Sequence, residues 1–156
     1  MFTTTRKKLE ADKMSEKAGA ELKRGGLRVR DIMTKGVITG RTDDTLPEIA
    51  KTMADKGISS LIIVSQEGNA VGIISSLDVV RAFGSRSEEQ IKNTKASEVM
   101  THPVYDVNAE MTLEKVANIM VIKNIHRVVV LSSDKSRKPV GVLSATDIVK
   151  VVTGLK

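Results

Sequence analysis

The chain has 156 residues, 40% hydrophobic and 28% charged, a balance ordinary for a globular protein. It contains no Cys, which excludes disulfides, thiolate nucleophiles and Cys-based metal sites, and no apolar run approaches the roughly 20 residues of a membrane span. With two Phe, one Tyr and no Trp, the core has to come from Ile, Val, Leu, Ala and the seven Met.

The first residues, Met1 to Lys8, lack the apolar stretch of a secretory signal, which with the missing Cys points to the cytoplasm. Net charge is +6, but residues 1–28 carry eight Lys or Arg against four acids, which leaves only +2 for the rest of the chain. Such a mixed-charge stretch reads as a solvated helix rather than a nucleic-acid arm. Residues 1–26 are therefore expected to be a basic tail, partly helical or disordered.

From residue 27 onward the sequence repeats itself. Arg30-Asp31-Ile32-Met33-Thr34 recurs as Ser97-Glu98-Val99-Met100-Thr101, an offset of 67 that also pairs Leu46 with Leu113, Ala50 with Ala117 and Met53 with Met120. Two extra residues in the second copy raise the offset to 69, which pairs Gly72 with Gly141, Ser75 with Ser144 and Asp78 with Asp147. The expected division is a first repeat over 27–86, a linker over 87–95 and a second repeat over 96–156.

Each copy opens on a short extended piece, Gly36 to Thr39 or Pro103 to Asp106. A helix follows, with Leu46, Ile49, Ala50 and Met53, or Leu113, Val116, Ala117 and Met120, forming one buried stripe at three-four spacing. Thr45 with Glu48 forms a capping box; Thr112 can cap, but Lys115 cannot close the box. Gly57 and Asn124 stand where a left-handed residue should end each helix. Leu61 to Val64 and Val128 to Leu131 are continuous apolar runs, as in strands covered on both faces. Turns lead from them into Val71 to Ile74 and Val140 to Leu143. A last helix starts near Asp78 or Asp147 and stops at Gly84 or Gly154. The pattern predicts an α/β (α+β) fold of two βαββα repeats, packed sheet to sheet about a pseudo-twofold axis, with clefts along the seam.

The sharpest motif is Gly72-x-x-Ser75-x-x-Asp78, repeated as Gly141-x-x-Ser144-x-x-Asp147. A strand glycine lets another group approach the backbone closely. The Ser and Asp serve either of two purposes. They can cap the last helix, or the hydroxyl and free helix amides can meet an anion while the carboxylate accepts from the two hydroxyls of a ribose. Ile125-His126-Arg127 brings two basic side chains to the start of a strand in the second copy, where the first has Ile58-Ser59-Ser60, so two inequivalent sites are expected. Arg81 and Lys150, each three residues past the motif Asp, read as a solvated helix face.

The leading Asp-Ile-Met-Thr and Glu-Val-Met-Thr, the Leu46 and Leu113 helices and both Gly-x-x-Ser-x-x-Asp motifs, in order and twice, resemble the CBS domain family paired in tandem as a Bateman module. The likeness covers about residues 27–154. It implies an adenosyl ligand such as AMP, ADP, ATP or S-adenosylmethionine in one or both clefts. Asp78 and Asp147 would hold ribose hydroxyls, and Ser75 and Ser144 would contact ribose or phosphate. Adenine would lie against the backbone of Val37, Ile38 and Thr39, or of Val104, Tyr105 and Asp106. His126 and Arg127 would point at phosphates, with Ser59 and Thr146 completing the nucleotide-binding set. A flat homodimer formed through the helices, and a protein effector that reads the ligand state, are also implied. His102 has no second metal ligand at the right spacing and no nucleophile has an evident base, so neither a metal site nor a catalytic set is expected. The alternatives are nucleic-acid binding through the basic tail, or a ligand-free interaction scaffold.

Overall fold

The computed structural model describes Leu9, Glu10, Asp12, Lys13, residues 26–134 and residues 136–154. The expectation for the tail over 1–26 lies almost wholly outside that set. The chain divides into two compact units. One, carrying the first repeat, comprises Gly36–Tyr105 and Asp134–Pro139; the other, carrying the second repeat, comprises the residues up to Lys35, Asp106–Ser133 and Val140 onward. Both are mixed α/β, each with its own sheet.

In the first-repeat unit the sheet order is β2-β3-β4, formed by Thr39–Arg41, Ser60–Val64 and Ala70–Ser75. β2 runs parallel to β3, so it needs a crossover, and helix α2 (Leu46–Lys56) supplies it. The capping box forms: Thr45 N donates to Glu48 Oε2 at 2.8 Å, and Glu48 N donates to Thr45 Oγ1 at 3.4 Å. Gly57 ends the helix in the left-handed region at φ 61°. Ile49 and Met53 from the buried stripe pack with Leu61, Ile63, Ile74 and Ala96. Antiparallel to β3, β4 runs straight into α3 (Ser76–Ser85), which passes Gly84 by one residue. Two short helices, α4 (Glu88–Asn93) and α5 (Ala96–Val99), close the unit.

The second-repeat unit holds a four-stranded sheet of order β1-β7-β6-β5, formed by Thr34–Lys35, Pro139–Ser144, Arg127–Leu131 and Asp106–Asn108. Helix α6 (Leu113–Lys123) crosses from β5 to its parallel neighbour β6 and ends at Asn124, φ 52°, while α7 (Ala145–Thr153) follows β7. As expected, Thr112 caps α6 without a box. The extended openings predicted at 36–39 and 103–106 join ladders only from Thr39 and Asp106. Gly36 sits at φ 76°, outside the extended region, and Pro103 has no amide hydrogen to donate.

The two leading pentapeptides are used reciprocally. Arg30 to Thr34, which precedes the first repeat, is built into the second-repeat unit with helix α1 (Val29–Ile32) and strand β1. Ser97 to Thr101, which precedes the second, is built into the first-repeat unit. Their contacts match position for position. Asp31 Oδ2 accepts from Arg28 N at 2.9 Å, and Glu98 Oε2 accepts from Lys95 N at 2.7 Å. Ile32 is buried in one core, and Val99 packs on the other. Thr34 pairs with Val142 on β7, and Thr101 bridges Ile73 on β4. Met33 lies over Gly141 and Met100 over Gly72, so a Cβ on either glycine would stand 3.3 Å or 2.8 Å from the respective Met Cγ. The close approach expected at these glycines is thus made by methionine.

Candidate functional site

The two motif serines and aspartates occupy equivalent places, at the junction of the last strand and last helix of each repeat. In the first-repeat unit Ser60, opening β3, pairs with Ser75, closing β4. Ser59 is drawn in by its carbonyl, which accepts from Ser76 N at 3.0 Å and from Ser76 Oγ at 3.2 Å. Thr39 pairs with Ile62, two residues past Ser60, so the half-buried Val37 and Ile38 reach the sheet from this same end. Asp78, 9% exposed, turns back on the strand end, where its Oδ2 accepts from Ser75 N at 2.7 Å and Ser75 Oγ at 3.0 Å. Its Oδ1 faces Arg81 NH1 at 3.6 Å. The Arg81 side chain is 70% exposed, yet it is paired rather than merely solvated. The three-residue spacing on a helix was the signal for this contact.

The second-repeat unit repeats the arrangement with one change. Ala145 N donates to the His126 carbonyl at 2.8 Å, as Ser76 does to Ser59. Asp147 Oδ2 accepts from Ser144 N at 2.8 Å, but here the serine hydroxyl accepts, from Asp147 N at 3.2 Å, instead of donating to the carboxylate. Lys150, in the place of Arg81, makes no ion pair with Asp147 among the described residues. Half-buried Asp147 therefore keeps one oxygen without a partner among the described residues. Exposed His126 and half-buried Arg127 stand at the start of β6, and Thr146 is exposed on the first turn of α7. Val104 and Tyr105, the latter 39% exposed, fall in the first-repeat unit, while Asp106 begins β5 in the other.

Chemically, both boxes cap their helices, and each leaves a different remainder. A carboxylate has about four acceptor positions. Asp78 has two filled by Ser75 and its second oxygen faced by a cation at 3.6 Å, whereas Asp147 has one oxygen open among the described residues. Among the described residues no group of three or more His, Asp or Glu side chains could hold a metal ion. No helix among them is long and apolar enough to cross a membrane.

A tandem α/β repeat with a Ser–Asp cap after the last strand of each copy defines a class of paired modules, and sequence comparison identifies it. The CBS domain family matches residues 29–85 and 96–154, and the chain belongs to that family. It is similar to the uncharacterized protein MK0525 of Methanopyrus kandleri, at 31% identity over 79% of this chain and 61% of that protein. A homoserine O-acetyltransferase of Methanococcus vannielii is 32% identical over 80% of this chain but only 25% of its own length. The chain thus spans less than two thirds of the length of either curated relative. Among solved structures, the CBS domain pair of protein MJ0100, in complex with 5′-methylthioadenosine and S-adenosyl-L-methionine, is 30% identical with a TM-score of 0.72, covering 82% of this chain and 97% of that one. A hexameric CBS-CP12 protein from bloom-forming cyanobacteria is 28% identical with a TM-score of 0.70, over 80% of this chain and 67% of that one.

Proposed function

We propose that the chain is a regulatory module of the cytoplasm that takes up an adenosyl ligand, such as AMP, ADP, ATP, S-adenosylmethionine or a relative, and reports it to a protein effector without catalysing a reaction. Asp78 and Asp147 accept from the ribose diol beside Ser75 and Ser144. The backbone around Val37, Ile38 and Thr39, and around Val104 and Tyr105, reads the base. Ser59, Thr146, His126 and Arg127 line the approach. The observation that carries this reading is the Ser–Asp box set twice at the same end of a sheet, with an Asp147 oxygen unclaimed among the described residues. Similarity to a CBS pair whose complex contains two adenosyl compounds supports the ligand class.

Isothermal titration with AMP, ATP, S-adenosylmethionine and 5′-methylthioadenosine tests it. Saturable heat is expected with at least one, and Asp147→Ala is expected to weaken it by tenfold or more, the loss of a hydrogen-bonded charged acceptor. No heat and no thermal shift at millimolar concentrations of all four would end the proposal.

The module works as a homodimer in this reading. Leu77, Val80 and Phe83 on α3 are 55%, 62% and 78% exposed, and Val149 and Val152 on α7 are 60% and 58% exposed. Val80 and Phe83 correspond to Val149 and Val152 at the repeat offset of 69, so each unit carries exposed apolar side chains on its last helix, a feature that marks a surface for association. Phe83→Asp is expected to give monomers by light scattering; a wild-type chain already monomeric at micromolar concentration would refute the pairing.

A further inference from the structure

We infer that Arg81 is a specificity-determining residue that makes the Asp78 site selective for phosphorylated adenosyl ligands and leaves the Asp147 site open to uncharged ones. The inference rests on the adenosyl-binding reading above. It starts from the unequal state of two carboxylates that the repeat makes equivalent in sequence.

Asp78 Oδ2 is filled by two donors from Ser75, at 2.7 and 3.0 Å, which leaves Oδ1 to receive a ribose hydroxyl. Arg81 NH1 stands 3.6 Å from that oxygen. A neutral nucleoside entering the site competes with the guanidinium for that oxygen and offers it nothing in return. A ligand with a 5′-phosphate brings its own acceptor. The Arg81 side chain, 70% exposed on a flexible stem, can leave the carboxylate and take the phosphate with its planar fork of donors, so the two exchanges compensate. Asp147 presents the opposite case. Among the described residues Ser144 N alone reaches its Oδ2 and Lys150 does not pair with it, so a diol can be accepted without displacing any of them. A lysine could not mimic the exchange well in any case, because an ammonium is a point charge without the fork.

The test isolates each site with an isosteric substitution that keeps the cap's shape. Asp147→Asn leaves the Asp78 site, Asp78→Asn leaves the Asp147 site, and each protein is titrated with AMP and with 5′-methylthioadenosine. The Asp147→Asn protein is expected to prefer AMP. Adding Arg81→Gln to it should raise 5′-methylthioadenosine affinity about 2- to 5-fold, the release of an exposed ion pair. The same change should lower AMP affinity about tenfold, the loss of a charge-assisted contact. Lys150→Gln in the Asp78→Asn protein is expected to leave 5′-methylthioadenosine affinity unchanged. An AMP preference in the Asp147→Asn protein that survives Arg81→Gln would overturn the role of Arg81 while leaving adenosyl binding intact. Wild-type protein that binds neither ligand would remove the underlying reading, and this inference with it.

Discussion

Gly72 and Gly141 hold the same position in the two copies of one motif, yet alanine at each should behave differently once the methionine above it is shortened. At Gly72 the three nearest neighbours of an added Cβ are all Met100 side-chain atoms, with Cγ at 2.8 Å and Cβ at 3.0 Å. At Gly141 the neighbours are Met33 Sδ at 2.9 Å and the Thr34 carbonyl oxygen at 2.8 Å, and that oxygen belongs to the backbone of β1, which pairs with β7. Overpacking of this kind costs about 1–3 kcal/mol, partly offset by the ~0.4–1 kcal/mol that Gly→Ala gains by restricting the unfolded chain. Each single alanine should therefore destabilise its unit by about 1–2 kcal/mol. In a Met100→Ala background, Gly72→Ala should lose most of its cost, because Sδ and Cγ are gone and only the Cβ of residue 100, at 3.0 Å, is left to give way. In a Met33→Ala background, Gly141→Ala should keep most of its cost, because the carbonyl remains. Double-mutant cycles read through amide exchange of β4 and β7, which reports each unit separately, measure both couplings. Equal rescue at the two sites, or rescue only at Gly141, would refute the assignment of what covers these glycines.

Deleting residues 1–35 should unfold the second-repeat unit while the amides of β3 and β4 stay protected. It removes β1 together with Leu27, Val29 and Ile32, at 3%, 0% and 3% exposure. At about 1.5–3 kcal/mol for each large apolar side chain, the loss approaches the whole stability of a small domain. Protected β6 and β7 amides in the truncated chain would contradict this. The Glu98 carboxyl is held below its ordinary value of 4.5, chiefly by the hydrogen bond from Lys95 N at the start of α5, with the Arg86 charge assisting and partial desolvation opposing. A depressed carboxylate stabilises the fold fully above its unfolded value and loses that contribution as pH falls through the folded one. Acid sensitivity from this group is therefore expected below about pH 4.5, and Glu98→Gln should remove it. A Glu98 midpoint at or above 4.5 in a carboxyl NMR titration would show the bond is not made.

Much of this protein is written in short-range rules. Thr45, Glu48 and Gly57 mark the two ends of α2, and Thr112 and Asn124 those of α6, because caps act within three or four residues of themselves. The apolar runs at 61–64 and 128–131 lie within β3 and β6, and the repeat offset located both Ser–Asp boxes. Which sheet the pentapeptides ending in Thr34 and Thr101 would join was not legible. Their similar residues suit either sheet, and only the path of the chain decides that each completes the unit built from the other copy. The start of β2 at Thr39 rather than Gly36 was hidden for a related reason, since a ladder begins where a partner strand stands and not where residues merely tolerate extension. The states of Asp78 and Asp147 were decided last, by three-dimensional placement alone. Spacing allowed Arg81 and Lys150 to face water or their aspartates, and folding turned the arginine onto a buried carboxylate while giving the lysine no such contact. Sequence determines what a side chain can reach, but its partner depends on which groups the rest of the fold has already satisfied.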